Sequence, residues 1–359
     1  MLNQTNNNAR PTQGLTKAQL FAHAREKAEL MMAGFEFEPQ SEEKGMFLLR
    51  TASRWMEEAS NEPEAQMLFG EFWHEGELCI LFADTNLGKS ILAVQIGDSI
   101  SRGEAIHPLR LQADAQQVVY LDFELTKKQF QNRYQNVVFE PYEWSPLFLR
   151  AEIDPENIET DGLTFEEFLN YSLEKAVAES QTKVLIIDNL TYLRNETEKA
   201  KDALPLMKHL KQMKNKYNLS ILALAHTPKR DPSRPINRND LQGSKMLMNF
   251  CDSAFSIGES QIDNNLRYLK QIKQRNTEEI YGDDNVCLFQ ITKPGKFLKF
   301  DFIDYSREWE HLRESTIQDR DLLKAQVADL RTEGKTVREV AELLGISKAK
   351  VQRLLEAIK

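Results

Sequence analysis

Four short apolar runs, separated by segments long enough to form helices, constrain the fold of this chain more than any other feature. Near-continuous apolar strands of this kind are buried on both faces, as in a parallel sheet that is covered by helices. The sequence therefore predicts an α/β domain with a mainly parallel central sheet. The four runs are LCILF at 78–82, VVYLDF at 118–123, VLIID at 184–188 and ILALA at 221–225.

The strands that follow are expected to pair antiparallel. Further strands are predicted over 252–258, 266–273 and 286–303. The segment Lys293-Pro-Gly-Lys296 has the composition of a hairpin turn inside the last of them. A hairpin reverses the chain, so the sheet is predicted to end antiparallel. The helices expected between strands include those near 126–138 and 165–180.

Three regions are predicted along the chain. Residues 1–65 should form an N-terminal helical extension, of which the polar, Asn-rich residues 1–15 are expected to be disordered. Thr16 and Gln19 make a capping box for one amphipathic helix, and a second is expected over 46–56. Two roles are open for this extension: packing on its own domain, or docking on a neighbouring subunit. The α/β domain is placed at 66–306 and a small all-α domain at 315–359.

The charge distribution limits where nucleic acid could bind. A formal net charge of −9 argues against a protein that coats nucleic acid with its whole surface. Two segments are locally basic: 229–245 has five Lys/Arg against two Asp/Glu, a net of +3, and 317–359 has nine against seven, a net of +2. Any contact with nucleic acid is therefore expected in these two segments.

Membrane, secretory and disulfide signals are missing from the sequence. No apolar run approaches the ~18 residues of a membrane span, and the polar first residues lack the apolar stretch of a secretory signal. We therefore expect a cytoplasmic protein with no membrane contact. Three isolated cysteines form no CxxC pair, which predicts neither a disulfide framework nor a zinc site. Cys79, Cys251 and Cys287 are expected to be small buried side chains.

A phosphate-binding loop is predicted between the first strand and the helix after it. Residues 83–90 fit the pattern [AG]-x4-G-K-[ST], with the flanking strand and helix that this motif requires. Backbone N–H groups converge on the phosphates, Lys89 reaches the β- and γ-phosphates, and the Ser90 hydroxyl takes one Mg²⁺ position. ATP and Mg²⁺ are the expected ligands, and Asn86 is expected to carry any positive φ. The predicted nucleotide-binding residues are Ala83, Asp84, Thr85, Asn86, Leu87, Gly88, Lys89, Ser90 and Ile91.

Polar side chains stand at the ends of the three later runs. Asp188 ends VLIID, where it could hold Mg²⁺ through water; otherwise it is a turn aspartate. Glu124 follows VVYLDF, where a carboxylate can orient or deprotonate the attacking water; otherwise it is a solvated charge. His226 follows ILALA, where it could sense the γ-phosphate. The other five histidines are scattered singly, which leaves a metal cluster unsupported.

In combination these motifs resemble the RecA-like ATPase core. The likeness rests on the P-loop, the glutamate after the next strand, the strand-terminal aspartate, the polar residue after the following strand and a later Lys-x-Arg, and it covers roughly 68–304. Within this core the chain is similar to the plasmid helicase RepA, the replicative hexameric helicases and KaiC-type proteins. The resemblance implies a RecA-like P-loop NTPase fold and a homo-oligomeric, hexameric ring. It also implies that Lys273 and Arg275 act in trans on a neighbour's γ-phosphate; otherwise they belong to an exposed basic strand.

A proline-punctuated basic loop follows His226. The resemblance places here the loops that line a ring's central pore and grip single-stranded nucleic acid, with Gln242 at the position of a nucleotide-coupled switch. Flexible cations at this place would track phosphates without reading sequence. The loop lacks aromatic residues for base stacking, so a solvated surface loop is an equal alternative. The predicted contacts are Lys229, Arg230, Arg234, Arg238 and Lys245.

The C-terminal segment has the pattern of a helix-turn-helix. Thr336 and Glu339 form a capping box, Gly345 closes the first helix and Ser347 caps the second. With a supporting helix over 317–331, the pattern predicts a domain that binds nucleic acid or protein. A helical hairpin packed on the α/β domain is the alternative. The cations left for DNA on the second helix are Lys348, Lys350 and Arg353.

The leading prediction is a ring-forming, DNA-dependent ATPase of the RepA type, acting as a helicase or as a replication or mobilisation motor on single-stranded or duplex DNA. Glu124 would activate water, Lys89 and Mg²⁺ would neutralise the phosphates, and Arg275 would complete the site from the next subunit. An ATP-switched DNA-binding regulator that does not unwind DNA is the main alternative. A small-molecule P-loop kinase is a third, disfavoured by the pair Asp188 and His226 and by the Lys-x-Arg motif.

Overall fold

The chain divides into two compact units, residues 1–64 and 65–359. The computed structural model describes residues 22, 25, 48–154, 162–190, 192–193, 203–228, 230–241, 244–313, 317–344, 346 and 348–356.

The described part of the first unit contains one helix with both ends defined, α1, over Ala52–Ser60. It begins there because Thr51 Oγ1 accepts a hydrogen bond from Arg54 N at 3.3 Å, which caps the helix. The helix expected over 46–56 therefore starts at Ala52 and extends further. The helix predicted from Thr16 lies outside the described residues, except for Ala22 and Arg25, which are helical.

The second unit is built on one nine-stranded sheet. In spatial order, from one outermost strand to the other, its strands are β11 (Lys299–Ser306), β10 (Val286–Thr292), β9 (Leu266–Lys273), β8 (Ser253–Glu259), β3 (Leu78–Ala83), β7 (Ser220–His226), β6 (Val184–Asp188), β4 (Val118–Asp122) and β5 (Phe148–Ala151). The six strands from β8 to β5 in this order run parallel, and β9, β10 and β11 pair antiparallel. The predicted α/β class, with a parallel sheet that ends antiparallel, is confirmed. The short strands β1 (Met67–Phe69), β2 (Trp73–His74) and β5 were not predicted.

Helices connect these strands and cover the sheet. Those of the second unit are α2 (Lys89–Arg102), α3 (Lys127–Arg133), α4 (Phe165–Ser180), α5 (Ala203–Tyr217), α6 (Ser244–Phe250), α7 (Ile317–Thr332), α8 (Val337–Leu343) and α9 (Lys348–Glu356). The helix expected over 165–180 is confirmed, whereas the one expected over 126–138 ends at Arg133. None of the helices in the described ranges is both long and apolar enough to span a membrane.

Two apolar cores lie on opposite faces of the sheet. Along β3, Cys79, Leu81 and Ala83 join the core on the side of α2, while the alternate residues join the core formed with α4, α5 and α6. All six residues of β3 are buried, because both faces of the strand are covered. This explains why the predicted strands are almost continuously apolar and do not alternate.

The two ends of the parallel strands matter for function. The carboxyl ends of all six strands lie on one side of the sheet, here called the carboxyl edge, and the loops after β3, β4, β6 and β7 meet there. The opposite edge is called the amino edge. Because β9 is antiparallel to β8, it ends at the amino edge, where Lys273 pairs with Ala254 near the start of β8.

The last three helices, α7, α8 and α9, have a small core of their own. Its buried side chains are Val327, Val340, Ala341 and Val351.

The predicted capping box of α8 is present: the Thr336 side chain accepts from Glu339 N, and the Glu339 side chain accepts from Thr336 N. Gly345 and Ser347 lie outside the described residues. The helix-turn-helix architecture is confirmed for the described part of this segment.

Candidate active site

The loop between β3 and α2 turns at two residues in the left-handed region. Asn86 has a φ of 64°, as expected, and Gly88 has a φ of 94°. A Cβ at position 88 would be strained at this φ and would lie 3.0 Å from Ile291 Cδ1 and from two ring atoms of Phe300. The β10–β11 hairpin therefore packs directly against the loop, and only glycine fits at this position.

Lys89 opens α2 and turns its ammonium back onto the loop. Its Nζ donates to the carbonyl oxygens of Ala83 and Asp84, at 3.0 Å each, and lies 3.2 Å from His226 Nδ1. Burial lowers the pKa of Lys89, and the surrounding carboxylates partly offset this effect. Backbone carbonyls carry no net charge, so phosphate oxygens would bind this ammonium more strongly than its present partners.

Asp188 ends β6 next to this loop and is almost completely buried, with 1% exposure. The Tyr120 hydroxyl donates to its Oδ2 at 2.6 Å, and the Ser90 hydroxyl also hydrogen bonds to the carboxylate. Burial, together with the charges of Glu124 and Asp122, raises the pKa of Asp188 to about 6 despite these two hydrogen bonds. A desolvated carboxylate of this kind gains most from a nearby cation.

The oxygen donors of Ser90 and Asp188 fit a Mg²⁺ ion held largely by a nucleotide. Mg²⁺ commonly takes one or two ligands from the protein and the rest from phosphates and water. Within the described part of the chain, no group of three or more His, Cys, Asp or Glu side chains could hold a metal ion. A cation at Ser90 and Asp188 would thus depend on the nucleotide for its remaining ligands.

Glu124, Asn189 and His226 form a hydrogen-bonded cluster at the carboxyl edge. Asn189 Nδ2 donates to Glu124 Oε1, and His226 Nε2 lies 3.5 Å from the same oxygen. The hydrogen bond from His226 lowers the pKa of Glu124, so its carboxylate is ionised at neutral pH. Its side chain is 41% exposed. An ionised, accessible carboxylate can orient a water molecule and accept its proton.

His226 lies between Lys89 and the pair formed by Glu124 and Asn189. An ammonium only donates, so His226 Nδ1 accepts from Lys89 Nζ at 3.2 Å. Its Nε2 lies 3.5 Å from Glu124 Oε1 and 3.2 Å from Asn189 Nδ2. The imidazole thereby connects the side chain that would bind phosphates with the carboxylate that would activate water. If Lys89 moves toward a nucleotide, Nδ1 loses its donor, so the ring is positioned to respond.

The segment that carries Glu124 is held by residues that the sequence analysis did not single out. Asp122 Oδ1 accepts hydrogen bonds from Glu124 N at 3.1 Å and from Leu125 N at 2.8 Å. Arg150 donates through Nε to Asp122 Oδ2 at 3.0 Å and through Nη2 to Leu125 O at 2.8 Å. Asp122 and Asn189 were both missed, although each lies next to a strand end already expected to carry chemistry.

Comparison with known proteins agrees with this arrangement. Residues 47–232, more than half of the chain, match the AAA domain family AAA_25. The chain belongs to this family and is a RecA-like P-loop ATPase. Residues 319–359 match a homeodomain-like domain, which agrees with the helix-turn-helix. Among solved structures, the KaiC-like protein PH0186 from the hyperthermophilic archaeon Pyrococcus horikoshii OT3 matches with a TM-score of 0.45 and 13% identity, over 63% of this chain and 90% of that chain. No curated protein matches the chain.

Lys273 and Arg275 of the ATPase lie at the amino edge, away from the cluster around Lys89. Lys273 Nζ donates to the backbone oxygens of Met248 and Cys251 at the end of α6. Arg275 Nη1 lies 2.9 Å from Asp252 Oδ1, and 47% of the arginine side chain is exposed. Six residues of β3 separate the two edges, a distance of about 20 Å. The structure therefore does not bring these two cations to the loop between β3 and α2 of their own chain.

The basic loop after β7 is bonded to the rest of the ATPase. Arg230 Nη1 donates to Arg234 O at 2.8 Å within the loop. Arg238 Nε donates to Ile272 O at 3.0 Å, and its Nη2 pairs with Glu279 at 3.1 Å. A role in tracking phosphates would require these contacts to be released. Lys229, Gln242 and the side chain of Lys245 lie outside the described residues.

The predicted DNA-contacting cations of α9 differ in exposure. Lys348 and Arg353 are exposed, whereas Lys350 is half-buried. Lys350 lines a small cavity with Arg234 of the basic loop and interacts electrostatically with Asp231. Of the three cations, Lys350 is thus the one that faces the ATPase domain.

Proposed function

We propose that this ATPase is a ring-forming, DNA-dependent motor, such as a RepA-like helicase or a replication or mobilisation ATPase. The separation of two half-sites carries the proposal. Lys89, Glu124 and Asp188 converge at the carboxyl edge, whereas Lys273 and Arg275 lie at the amino edge, about 20 Å away along β3. A site that uses all of them needs the amino edge of a second copy.

Contact between unlike edges of identical chains is head-to-tail. Such a contact leaves the pair with one free carboxyl edge on one copy and one free amino edge on the other, so further copies add until the rotation between neighbours closes a ring. The geometry therefore favours a closed homo-oligomer over an isolated dimer. It also makes turnover depend on protein concentration, because a single chain holds only half of each site.

The residues at the carboxyl edge have separate roles in hydrolysis. Glu124 orients the attacking water and accepts its proton, and its lowered pKa keeps the carboxylate ionised for this role. Lys89 exchanges its backbone partners for the β- and γ-phosphates. Ser90 and Asp188 would hold Mg²⁺, which neutralises phosphate charge when bound. His226 contacts both Lys89 and Glu124 and changes partners when the γ-phosphate leaves.

Arg275 is better placed than Lys273 to enter a neighbour's site. Its guanidinium has five N–H donors in a planar fork and is 47% exposed, with Nη1 donating to Asp252 Oδ1 at 2.9 Å and Nη2 to Asn249 O at 3.5 Å. Lys273 is committed to two backbone oxygens at the end of α6. We therefore assign the contact with the transferring phosphoryl group to Arg275. Lys273 then holds the α6 terminus beside it.

Mixed subunits test the shared site. Arg275→Ala chains keep Glu124, and Glu124→Gln chains keep Arg275, so mixing restores part of the turnover only if the two residues meet across an interface. Each variant alone should hydrolyse ATP at less than about 1% of the wild-type rate. The control is Lys208→Ala, at an exposed lysine on α5, which should keep full activity. A mixed oligomer that assembles but recovers no turnover would contradict the shared site.

DNA dependence rests on the C-terminal helices. The exposed Lys348 and Arg353 on α9, within the homeodomain-like match, support a contact with DNA. ATP turnover should rise several-fold when single-stranded or duplex DNA is added, and the particle in ATP should be larger than a single chain. Displacement of one strand from a forked duplex would identify a helicase. Equal turnover with and without DNA would contradict the motor.

An ATP-switched DNA-binding regulator is the second candidate. The internal contacts of Arg230 and Arg238 favour it, because they leave α9 as the described surface best suited to DNA. If DNA stimulates turnover while a forked duplex remains intact, the motor is excluded and the regulator stands.

A further inference from the structure

A short apolar tip projects from the connection between β4 and β5. The consecutive residues Val137, Val138 and Phe139 are 94%, 67% and 72% exposed. In the described stretches of the chain, no other three consecutive large apolar side chains are this exposed. Single exposed apolar residues are ordinary, but a continuous run is unfavourable in water and marks an interaction surface. We call residues 136–140 the apolar tip.

The apolar tip has a defined backbone conformation. Asn136 Oδ1 accepts hydrogen bonds from Val138 N at 3.0 Å and Glu140 N at 2.9 Å. Asn136 N donates to Glu140 O at 3.0 Å, and Phe139 N donates to Asn136 O at 3.1 Å. Phe139 also has a φ of 65°, which is uncommon for an aromatic residue. These bonds hold the three apolar side chains toward solvent.

The apolar tip lies at the carboxyl edge, near the active site. The chain reaches it through α3, which begins shortly after Glu124. Lys296 Nζ lies 3.3 Å from Glu140 Oε2, and Lys293 Nζ donates to Asn132 O at 2.7 Å. These two lysines belong to the β10–β11 turn, whose strands pack against the nucleotide loop. The tip is thereby tied to the same edge as the catalytic cluster.

The amino edge also carries partly exposed apolar side chains. Tyr305, near the end of β11, pairs with Cys287 near the start of β10, and Ile280 belongs to the β9–β10 connection. The two side chains are 44% and 46% exposed. Tyr305 stacks on Tyr281, the neighbour of Ile280, with ring centroids 6.1 Å apart. Apolar surface is therefore exposed at the same edge as Arg275.

We infer that the apolar tip of one copy docks on the amino edge of the next copy, against Ile280 and Tyr305. A second copy is the partner because a head-to-tail contact must bring this carboxyl edge to that amino edge for Arg275 to reach a bound nucleotide. The contact buries apolar surface that is exposed in the single chain. This inference rests on the proposed trans-acting site and identifies the surface that aligns it.

Cysteine cross-linking tests the contact, because the three native cysteines are buried. Val138→Cys chains mixed with Ile280→Cys chains should form disulfide-linked dimers in the presence of ATP, and neither variant should do so alone. As a control, Leu343→Cys replaces Val138→Cys and should give no dimers; Leu343 is similarly exposed, at 62%, at the end of α8. Dimers from Val138→Cys alone would reveal a tip-to-tip contact and overturn the inference. An oligomer without any cross-link would do the same.

Val138→Asp provides an independent measurement. The added charge should weaken self-association in ATP at least about tenfold in sedimentation velocity, while a fluorescent ATP analogue binds the single chain as in wild type. Leu343→Asp should leave self-association unchanged. The inference fails if Val138→Asp associates normally, including the case in which it impairs only DNA or lipid-vesicle binding. If mixed Arg275→Ala and Glu124→Gln chains recover no turnover while Val138→Cys and Ile280→Cys chains still cross-link, the trans-acting site is contradicted and the docking surface is not.

Discussion

Replacing Asp188 by asparagine is expected to make the nucleotide-free protein more stable while it removes activity. Asp188 is 1% exposed, and burial raises its pKa from 3.8 to about 6. Between these values the folded state binds a proton more tightly than the unfolded chain, so stability falls as pH rises through this window. The shift from 3.8 to about 6 corresponds to a cost of about 3 kcal/mol at pH 8 and less than about 1 kcal/mol at pH 4.

The lost hydrogen bonding opposes this gain. Asparagine replaces one carboxylate oxygen by an NH₂ group, so either the Tyr120 or the Ser90 hydroxyl loses its acceptor. The lost hydrogen bond lowers the free energy of unfolding by about 1 kcal/mol. Asp188→Asn should therefore be more stable than wild type by about 2 kcal/mol at pH 8 and about equal to it at pH 4. Turnover in Mg-ATP should fall at least about 100-fold, because the site loses a charged ligand.

Urea unfolding in EDTA without nucleotide, at pH 4, 6 and 8, measures these free energies. The control is Asp114→Asn, at an exposed aspartate, which should change the free energy of unfolding by no more than about 0.5 kcal/mol. The reasoning is refuted if Asp188→Asn is less stable than wild type at pH 8. It is also refuted if the difference between the two proteins does not grow from pH 4 to pH 8.

Three further substitutions probe single contacts of the site. Tyr120→Phe removes a hydrogen bond that lowers the pKa of Asp188, so the acid limb of the turnover–pH profile should move to higher pH; an unchanged limb would contradict this. Asn189→Ala removes a donor to Glu124 and should reduce kcat about tenfold or more in steady-state assays, with ATP affinity within about twofold; an effect on KM alone would argue against a positioning role. Gly88→Ala places a Cβ 3.0 Å from the buried ring of Phe300 at a positive φ. We therefore expect weaker ATP binding and a free energy of unfolding in urea that is lower by at least about 1 kcal/mol. Wild-type values for both would refute the steric argument.

Local patterns in the sequence were sufficient to predict every strand of the nine-stranded sheet except β5, and the positive φ in the loop between β3 and α2. Parallel strands covered on both faces are mostly apolar, and all six residues of Leu78–Ala83 are buried. Asn86 adopts the positive φ expected of it because its short polar side chain tolerates the left-handed region. Both features depend on burial and backbone sterics within a few residues, which a single sequence encodes directly.

Element boundaries were less predictable because side chains compete for backbone groups. The helix expected over 126–138 ends at Arg133, and the apolar tip follows, where the Asn136 side chain bonds to backbone N–H groups. The helix expected over 46–56 begins at Ala52, where Thr51 caps it. Periodicity indicates that a helix exists, but caps and turns of this kind determine where it stops.

The sequence alone determined which chemical groups are available: a lysine on a phosphate-type loop, carboxylates and a histidine at strand ends, and a later pair of cations. Only the tertiary structure decided which of them meet. Asp188 receives a hydrogen bond from Tyr120 because β4 and β6 are neighbours in register. Arg275 is separated from Lys89 because β9 runs antiparallel to β8 and ends at the opposite edge. Strand order and direction result from pairing between distant segments, which no local pattern specifies.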